Sequence, residues 1–372
     1  MSRRTGSVGI AVVLLLCLCE RAPAHAAGPP QAIHAVRVGP GVIGIEWTPA
    51  PGAAPAGYIL SRAEKLGGPY ELLAKRSTER PYFLDGDVRP ETLYFYEVAS
   101  FDVEQEPSQQ AGPTCAWDSD QIVPNGSFEL DEPGLLTDGT LPIWWYRRAY
   151  NWRTPVVIQA GGPDGKQCVE VQASNASVSG GLHSMLIPMI EGETWYQEAW
   201  SKTLPGASTL IGRCFYNVDR ETVRGEGIKK PYDYARGGGV RPDGWRQHTG
   251  EFTAPPSTCY VQLWLIGFRA RNTFWLDGAT VIDRTSQRVR EFPLNALKQD
   301  VAELMQTEAG RKHAGSPQEL EREIERVQER MRTGLEQLTP LDYRRLLVEL
   351  DRAQQEYAER VWTAKTMALL EH

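Results

Sequence analysis

Val123-Pro124-Asn125-Gly126-Ser127-Phe128-Glu129 opens, and Phe274-Trp275-Leu276-Asp277-Gly278-Ala279-Thr280-Val281 closes, the stretch whose reading decides the fold of this 372-residue chain. Between them lie short runs of alternating apolar and polar residues and seven of the eleven tryptophans. Alternation at period two marks strands with one buried face. Such runs, spaced by turn residues, read as a β-sandwich. No motif within it joins a histidine to a nucleophile.

Upstream, His34 to Ala111 is also all strand in pattern. Ile43-Gly44-Ile45-Glu46-Trp47, Tyr58-Ile59-Leu60-Ser61-Arg62 and Tyr70-Glu71-Leu72-Leu73 are spaced by turn residues. In Val88-Arg89-Pro90-Glu91-Thr92-Leu93-Tyr94-Phe95-Tyr96-Glu97-Val98, the residues Thr92, Tyr94, Tyr96 and Val98 share one face. This region resembles a fibronectin type III domain. Trp47 matches that family's core tryptophan. Val88, Pro90 and Tyr94 match its tyrosine corner, where a phenol hydrogen-bonds back to the chain near the strand start. Trp47, Tyr94 and Tyr96 are read as core. No Arg-Gly-Asp tripeptide is present, so integrin binding is not implied.

Beyond Arg284, tryptophan and glycine become rare and Glu, Arg, Leu and Gln dominate. Ser316-Pro317 and Thr339-Pro340 are helix starts. Leu320, Ile324, Val327, Met331 and Leu335 recur every three or four residues, as do Leu346, Leu350, Ala353, Tyr357, Val361 and Ala364. Two amphipathic helices joined by a short turn predict an antiparallel hairpin. Leu294 to Thr307 adds a shorter helix. The stripes bury themselves either within the chain or in self-association through a coiled coil.

The bracketed stretch resembles carbohydrate-binding modules of the four/nine group, which are galactose-binding-like jelly rolls, and the resemblance implies that Val123 to Glu129 and Phe274 to Val281 are its first and last strands. Besides its two ends, Trp195 to Lys202 matches that family's central aromatic strand. Gly244-Trp245 through Phe252-Thr253-Ala254-Pro255 matches its Gly-Trp…Phe-x-Ala-Pro segment. Arg224 to Arg241 is a polar insert that departs from the pattern. The resemblance implies a binding module rather than an enzyme. Sugar chemistry agrees, because an exposed indole covers the apolar face of a pyranose while amides and carboxylates take its hydroxyls. Strand parity turns Val261, Leu263 and Leu265 inward and points Gln262 and Trp264 outward. The same alternation gives Glu198, Trp200 and Lys202 one outer face, with Arg213 and Asn217 on the intervening strand. Trp144, Trp145, Tyr146 and Trp152 form a second aromatic cluster, at least one of which, Trp144 or Trp152 foremost, is expected to line the site. The competing reading packs these tryptophans beneath loops. The resemblance also implies a structural calcium held by Glu129 and Asp277, against the alternative of two exposed carboxylates.

Residues 1–26 read as a signal peptide, with Arg3 and Arg4, an apolar run from Val8 to Cys19 and the small residues of Ala24-His25-Ala26. Their removal takes the net charge from −7 to −9, because Arg3, Arg4, Arg21 and Glu20 leave together. An acidic chain without a basic stripe is a poor nucleic-acid binder. No later segment is apolar enough to cross a membrane. Cys115, Cys168, Cys214 and Cys259 remain, with three complete pairings open to them. Asn125 and Asn175 match the glycosylation sequon.

The sequence thus predicts a mainly β protein of two β-sandwich domains, fibronectin type III and jelly roll, plus a C-terminal α-helical hairpin. Its parts are a signal peptide (1–26), the first sandwich (32–112), the jelly roll (119–285) and the helical region (290–372). The expected function is noncatalytic binding of polysaccharide or cell-surface glycan by a secreted or periplasmic protein. The alternative is a structural or adhesive protein whose sandwiches bind protein or act as spacers.

Overall fold

The computed structural model describes residues 28–49, 54–77, 80–102, 107–136, 142–147, 156–172, 180–205, 208–224, 228, 230–268, 273–314 and 317–371. Its first sandwich is built from β1 (Gln31–Gly39), β2 (Val42–Thr48), β3 (Gly57–Ala63), β4 (Glu71–Ser77), β5 (Tyr82–Asp85), β6 (Leu93–Phe101) and β7 (Ala111–Trp117). These form a sheet of order β1-β2-β5 facing one of order β4-β3-β6-β7, with every pairing antiparallel. Trp47, Tyr94 and Tyr96 are buried between them, as the sequence predicts, and Tyr58 is buried with them. Trp47 meets Tyr58 edge-on at 5.1 Å. The Tyr94 hydroxyl accepts a 3.0 Å hydrogen bond from the Arg89 amide, which ties the strand start to the preceding turn.

The second sandwich holds β8 (Gly134–Leu136), β9 (Tyr146–Arg147), β10 (Val156–Ala160), β11 (Gln167–Gln172), β12 (Gly180–His183), β13 (Ile187–Pro188) and β14 (Thr194–Thr203). It continues through β15 (Ser208–Tyr216), β16 (Tyr232–Tyr234), β17 (Arg236–Val240), β18 (Trp245–Thr253), β19 (Tyr260–Phe268) and β20 (Thr273–Asp283). One sheet has seven strands in the order β17-β18-β14-β20-β11-β10-β8. The other has six, β16-β15-β19-β12-β9, with β13 paired to β19. Trp195, Ala199, Val261, Leu263, Leu265, Phe274 and Leu276 fill the space between them.

Two expectations change here. Residues 122–131 run beside β20 but form no strand. Pro124 brings no amide donor and Phe128 sits at φ 60°, so the segment bonds to β20 only intermittently, through Ile122 N to Val281 O at 2.7 Å and Ala279 N to Gly126 O at 2.9 Å. The insert, secondly, contributes two strands. β16 extends the six-stranded sheet and β17 the seven-stranded one, and the chain crosses between them at buried Ala235.

Five helices follow: α1 (Arg284–Glu291), α2 (Leu294–Leu304), α3 (Glu308–Ala314), α4 (Pro317–Thr333) and α5 (Pro340–Leu370). Thr339 caps α5 by accepting from the Asp342 amide at 3.0 Å, with Pro340 in the first turn. Ser316 lies outside the described residues. Leu335 falls beyond α4, in the turn after Gly334. The stripes Leu320, Ile324, Val327, Met331 and Leu346, Leu350, Ala353, Tyr357 are buried within this chain. They share one apolar cluster with the second sandwich and with Val36, Val38 and Val42 of the first.

Arg344 of α5 stands where the three parts meet. It is buried and pairs with Glu193, which precedes β14, and with Asp283 at the end of β20, and it donates to Val38 O of β1 at 3.2 Å. Its guanidinium also lies 5.6 Å from the Trp195 ring centre. A guanidinium so enclosed needs both carboxylates, because one left unpaired in the interior costs several kcal/mol, roughly 3–5 in comparable cases. Among the described residues no helix is long and apolar enough to cross a membrane. No disulfide joins Cys115, Cys168, Cys214 and Cys259. Asn125 is buried, its side-chain amide donating to Asp131 and to Ile143 O, so the sequon there lies in the interior; Asn175 is outside the described residues.

Candidate functional site

The residues expected to share one binding face divide between the two outer faces of the second sandwich. Along β14, Trp195, Gln197, Ala199 and Ser201 are buried, so Tyr196, Glu198, Trp200 and Lys202 face outward from the seven-stranded sheet. Along β19, Val261, Leu263 and Leu265 are buried, so Gln262 and Trp264 face outward from the six-stranded sheet. Parity is correct for each strand. It cannot say that β14 and β19 belong to different sheets.

Arg213 is not on an outer face. It lies inside, stacked 4.1 Å from the Phe252 ring centre, with one nitrogen on Gln197 Oε1 at 3.2 Å and another on Asp233. Burial pushes its pKa down despite the Asp233 carboxylate. Asn217 closes a turn, its side-chain oxygen accepting from the Glu221 amide at 2.9 Å. Trp144 is buried and donates to Ala35 O of β1 at 3.1 Å, so it anchors the first sandwich. Trp145 is buried likewise, on Asn125 O. Trp152 lies outside the described residues.

On the six-stranded sheet, strand register assembles what the sequence left scattered. Tyr146 opposes His183, His183 opposes Trp264, Trp264 opposes Gly212, and Gly212 opposes Tyr234. These five positions form one row across β9, β12, β19, β15 and β16. The adjoining row runs from Gln262 through Cys214 to Tyr232. Ring centres are 6.4 Å apart for Tyr146 and His183, 6.3 Å for Trp264 and Tyr232, and 5.5 Å for Tyr232 and Tyr234. Gly212 is required because a Cβ there would meet Tyr234 Cδ1 at 2.6 Å and Asp233 O at 2.7 Å. Gln262 is fixed in the middle. Its oxygen accepts from Trp264 Nε1 at 3.0 Å and from the Tyr216 hydroxyl at 3.3 Å, and its nitrogen lies 2.9 Å from His183 Nδ1. The result is a half-exposed strip of aromatic rings with a fixed amide at its centre. It offers flat apolar surface and neutral hydrogen-bonding groups together.

Of the second aromatic cluster, Tyr146 is the described member that reaches this row; His183, Tyr232 and Tyr234 have no counterpart among the site residues expected from sequence. The alternation Tyr232-Asp233-Tyr234 was the available signal for two of them, inside the stretch read as a polar insert.

The other outer face is closed by its own charges. Arg241 lies 5.4 Å from the Trp200 ring centre, and Lys202 lies 5.7 Å from that of Trp275. Glu198 accepts from the Tyr196 hydroxyl at 2.9 Å and from Gln247 at 2.7 Å. Glu170 accepts from Trp275 Nε1 at 3.0 Å and from Gln159.

Asp277 also belongs to this face but is buried beneath residues 161–167. Burial pushes its pKa up to about 8; the Gly278 amide opposes the shift, and Asp164 and Glu129 add to it. A Cβ on Gly162 would run into Asp277 Oδ2, Gln167 O at 2.6 Å and Asp164 Oδ1 at 3.2 Å, so three oxygens converge there. Glu129 is exposed and accepts from the Gln167 amide at 2.8 Å. Gln167 Oε1 is buried without a hydrogen-bond partner. Among the described residues no group of three or more His, Cys, Asp or Glu side chains is arranged to hold a metal. A cation here would depend on carbonyl oxygens as much as on carboxylates. That donor set fits calcium and not zinc.

One pairing invisible to sequence motifs lies in the interior. Ser201 Oγ is 2.8 Å from His248 Nε2 and 2.6 Å from Thr209 Oγ1. Burial first, then the Arg246 charge, pushes the His248 pKa down to about 4, so the ring is neutral near pH 7.

No family model matches the chain, and no curated protein matches it. Solved structures are similar over parts of it. The C-terminal family 22 carbohydrate-binding module of Clostridium thermocellum Xyn10B is 13% identical, covering 43% of this chain and 96% of that one, with a TM-score of 0.30. An Fn3-like protein from Clostridium thermocellum is 23% identical, covering 23% and 86%, with a TM-score of 0.21. The enzymatically active domain of bacteriophage CBA120 tailspike protein 4 is 10% identical, with a TM-score of 0.31; the match covers 43% of this chain but only 21% of the tailspike chain.

Proposed function

We propose that this chain is an exported, noncatalytic glycan-binding protein that holds polysaccharide or cell-surface glycan on the outer face of the six-stranded sheet. The observation that carries this reading is the cross-strand row Tyr146, His183, Trp264, Gly212, Tyr234 with Gln262 beside it. A pyranose laid on Trp264 places its apolar face on the indole and its equatorial hydroxyls toward Gln262 and His183. A glycan held on a sheet face makes partly water-mediated contacts, and its affinity is modest. Ser201 and His248 are read as a structural polar pair, because Thr209 occupies the other side of the hydroxyl and the ring is buried.

The test is a glycan array followed by titration of the best ligand into wild type and Trp264→Ala. Binding that survives in the variant, with the melting curve unchanged in both, rejects this face. The donor set around Asp277 supports a structural calcium held by Asp277, Glu129 and the carbonyl oxygen of Gln167, with Asp164 at its edge. It would pin residues 161–167 to β20 and take no part in sugar contact.

A further inference from the structure

The aromatic row does not run freely off both edges of its sheet. At the β9 end the Tyr146 hydroxyl donates to Ile33 O at 3.1 Å, and Trp144 Nε1 donates to Ala35 O at 3.1 Å. β1 of the first sandwich therefore lies across that end of the strip. Ile33 and Ala35 turn into the first sandwich's own core, so His34 between them faces the second sandwich. His34 is 3% exposed, lies 6.0 Å from the Trp144 ring centre, and has no hydrogen-bond partner on either ring nitrogen. A buried imidazole with neither nitrogen satisfied is costly and calls for a partner.

His34 lines a cavity of about 140 Å³ at the seam between the two sandwiches. Glu46, opposite His34 on β2, lines it with Thr48; the second sandwich contributes Met185, Arg220 and Gln262. Gln262 thus belongs both to this cavity and to the strip beside Trp264. The cavity has room for roughly four or five waters, at about 30 Å³ each. It is too small to pass a polymer and suits the projecting hydroxyls of one sugar ring. A neutral imidazole supplies one donor and one acceptor, Glu46 supplies acceptors, and the Gln262 amide nitrogen supplies a donor.

We propose that this seam is a terminal subsite: a glycan lying on the Tyr234–Trp264 strip ends against β1, and hydroxyls of its last sugar pair with His34, Glu46 and Gln262. The first sandwich is then part of the binding site, and the protein recognises neutral chain ends in preference to chain interiors. This rests on the glycan reading above.

The experiment uses the full chain and four soluble polysaccharides as probes: xylan, mixed-linkage β-glucan, galactomannan and α-glucan. Each is offered intact and, at equal mass, after limited endo-hydrolysis to oligosaccharides. For the probe that binds, end recognition predicts that half-saturation falls to a lower mass concentration as ends multiply, in proportion to their number. His34→Ala should weaken oligosaccharide binding about tenfold, the size of one lost hydrogen bond. Glu46→Gln, which keeps the shape of the side chain, should weaken it by a smaller factor, with the melting temperature unchanged. Binding that depends on mass alone, or wild-type affinity in both variants, overturns the terminal subsite while leaving the Trp264 face standing. Failure of wild type to bind any probe or arrayed glycan overturns both.

Discussion

On the seven-stranded sheet the outward indoles have ionisable neighbours in register: Trp200 faces Asp277 across one strand pair, and Trp275 faces Lys202 and Glu170 across two. On the six-stranded sheet Trp264 faces His183, and beyond Gly212 the row continues to Tyr234. Both sheets put tryptophan outward on a strand of the same parity. Their difference lies in the cross-strand neighbours, which decide whether an indole braces its own sheet or joins a continuous surface. A cation over an indole is worth about 0.5–1 kcal/mol at an exposed site, and a ligand must first displace it. Contiguous rings with a neutral amide between them offer one apolar surface with hydrogen-bonding groups beside it.

The sharpest way to break this comparison is to remove one indole from each face. Trp264→Ala should lower glycan affinity on the order of a hundredfold, as loss of a central aromatic anchor does. Isothermal titration against the array's best ligand measures it. If Trp200→Ala gives the larger loss, the two faces have been assigned in the wrong order.

Calcium offers the next largest effect and tests how the closed face is built. An ion bound only by the folded chain at a hundred times its dissociation constant adds about 2.7 kcal/mol. Chelator should therefore lower the melting temperature, and Glu129→Ala should remove most of the difference between chelated and calcium-loaded protein. Glycan affinity on the six-stranded face should stay the same in both. A melting curve indifferent to chelator and calcium removes the ion from the account.

Acid separates the interior from both faces. The folded-state pKa of His248 is pushed down to about 4, below the ordinary 6.5 of an unfolded chain. Protons therefore favour the unfolded chain. The stability is fully present above pH 6.5 and is lost as the pH falls toward 4, on the order of 2–3 kcal/mol across that window. His248→Gln, which keeps a partner for Ser201, should flatten that limb of the stability profile. Denaturant titrations at pH 7, 5.5 and 4.5 check it; equal slopes for both proteins would remove His248 as the cause.

The strands, the core tryptophan Trp47, the Tyr94 corner and the buried helix stripes were legible in sequence because each follows from local periodicity or a local motif. Burial of Val261, Leu263 and Leu265 and outward placement of Trp200, Gln262 and Trp264 were legible for the same reason. The shared face was not, because sheet membership is a long-range property that period two does not encode. Arg213 misled because its strand turns it inward, where Gln197, Asp233 and Phe252 occupy the guanidinium. Tyr146 and His183 join the site only through pairing of β9 with β12 and of β12 with β19, which no spacing in the chain announces. The Arg344 junction was likewise hidden, since its partners Glu193 and Asp283 lie far away in sequence.

Trp200→Ala carries the smallest expected effect and sharpens the comparison most finely. The indole is half-buried, with Arg241 5.4 Å from its ring centre and Gly278 beneath its edge. Arg241 is also held by Asp243 at 2.8 Å and by Pro163 O at 3.0 Å, so it does not depend on the indole for its position. Loss of the ring should cost about 1 kcal/mol through the cation–π contact and a little apolar cover. Glycan affinity should change less than twofold, because Trp200 and the Trp264 strip lie on opposite sides of the packed core. Arg241→Ala should cost about as much stability, and the double variant should cost less than the two losses added together, because either change removes the same contact. Full additivity in that cycle would mean that Arg241 and Trp200 act independently, and the closed character of the seven-stranded face would then rest on Lys202, Glu198 and Glu170 alone.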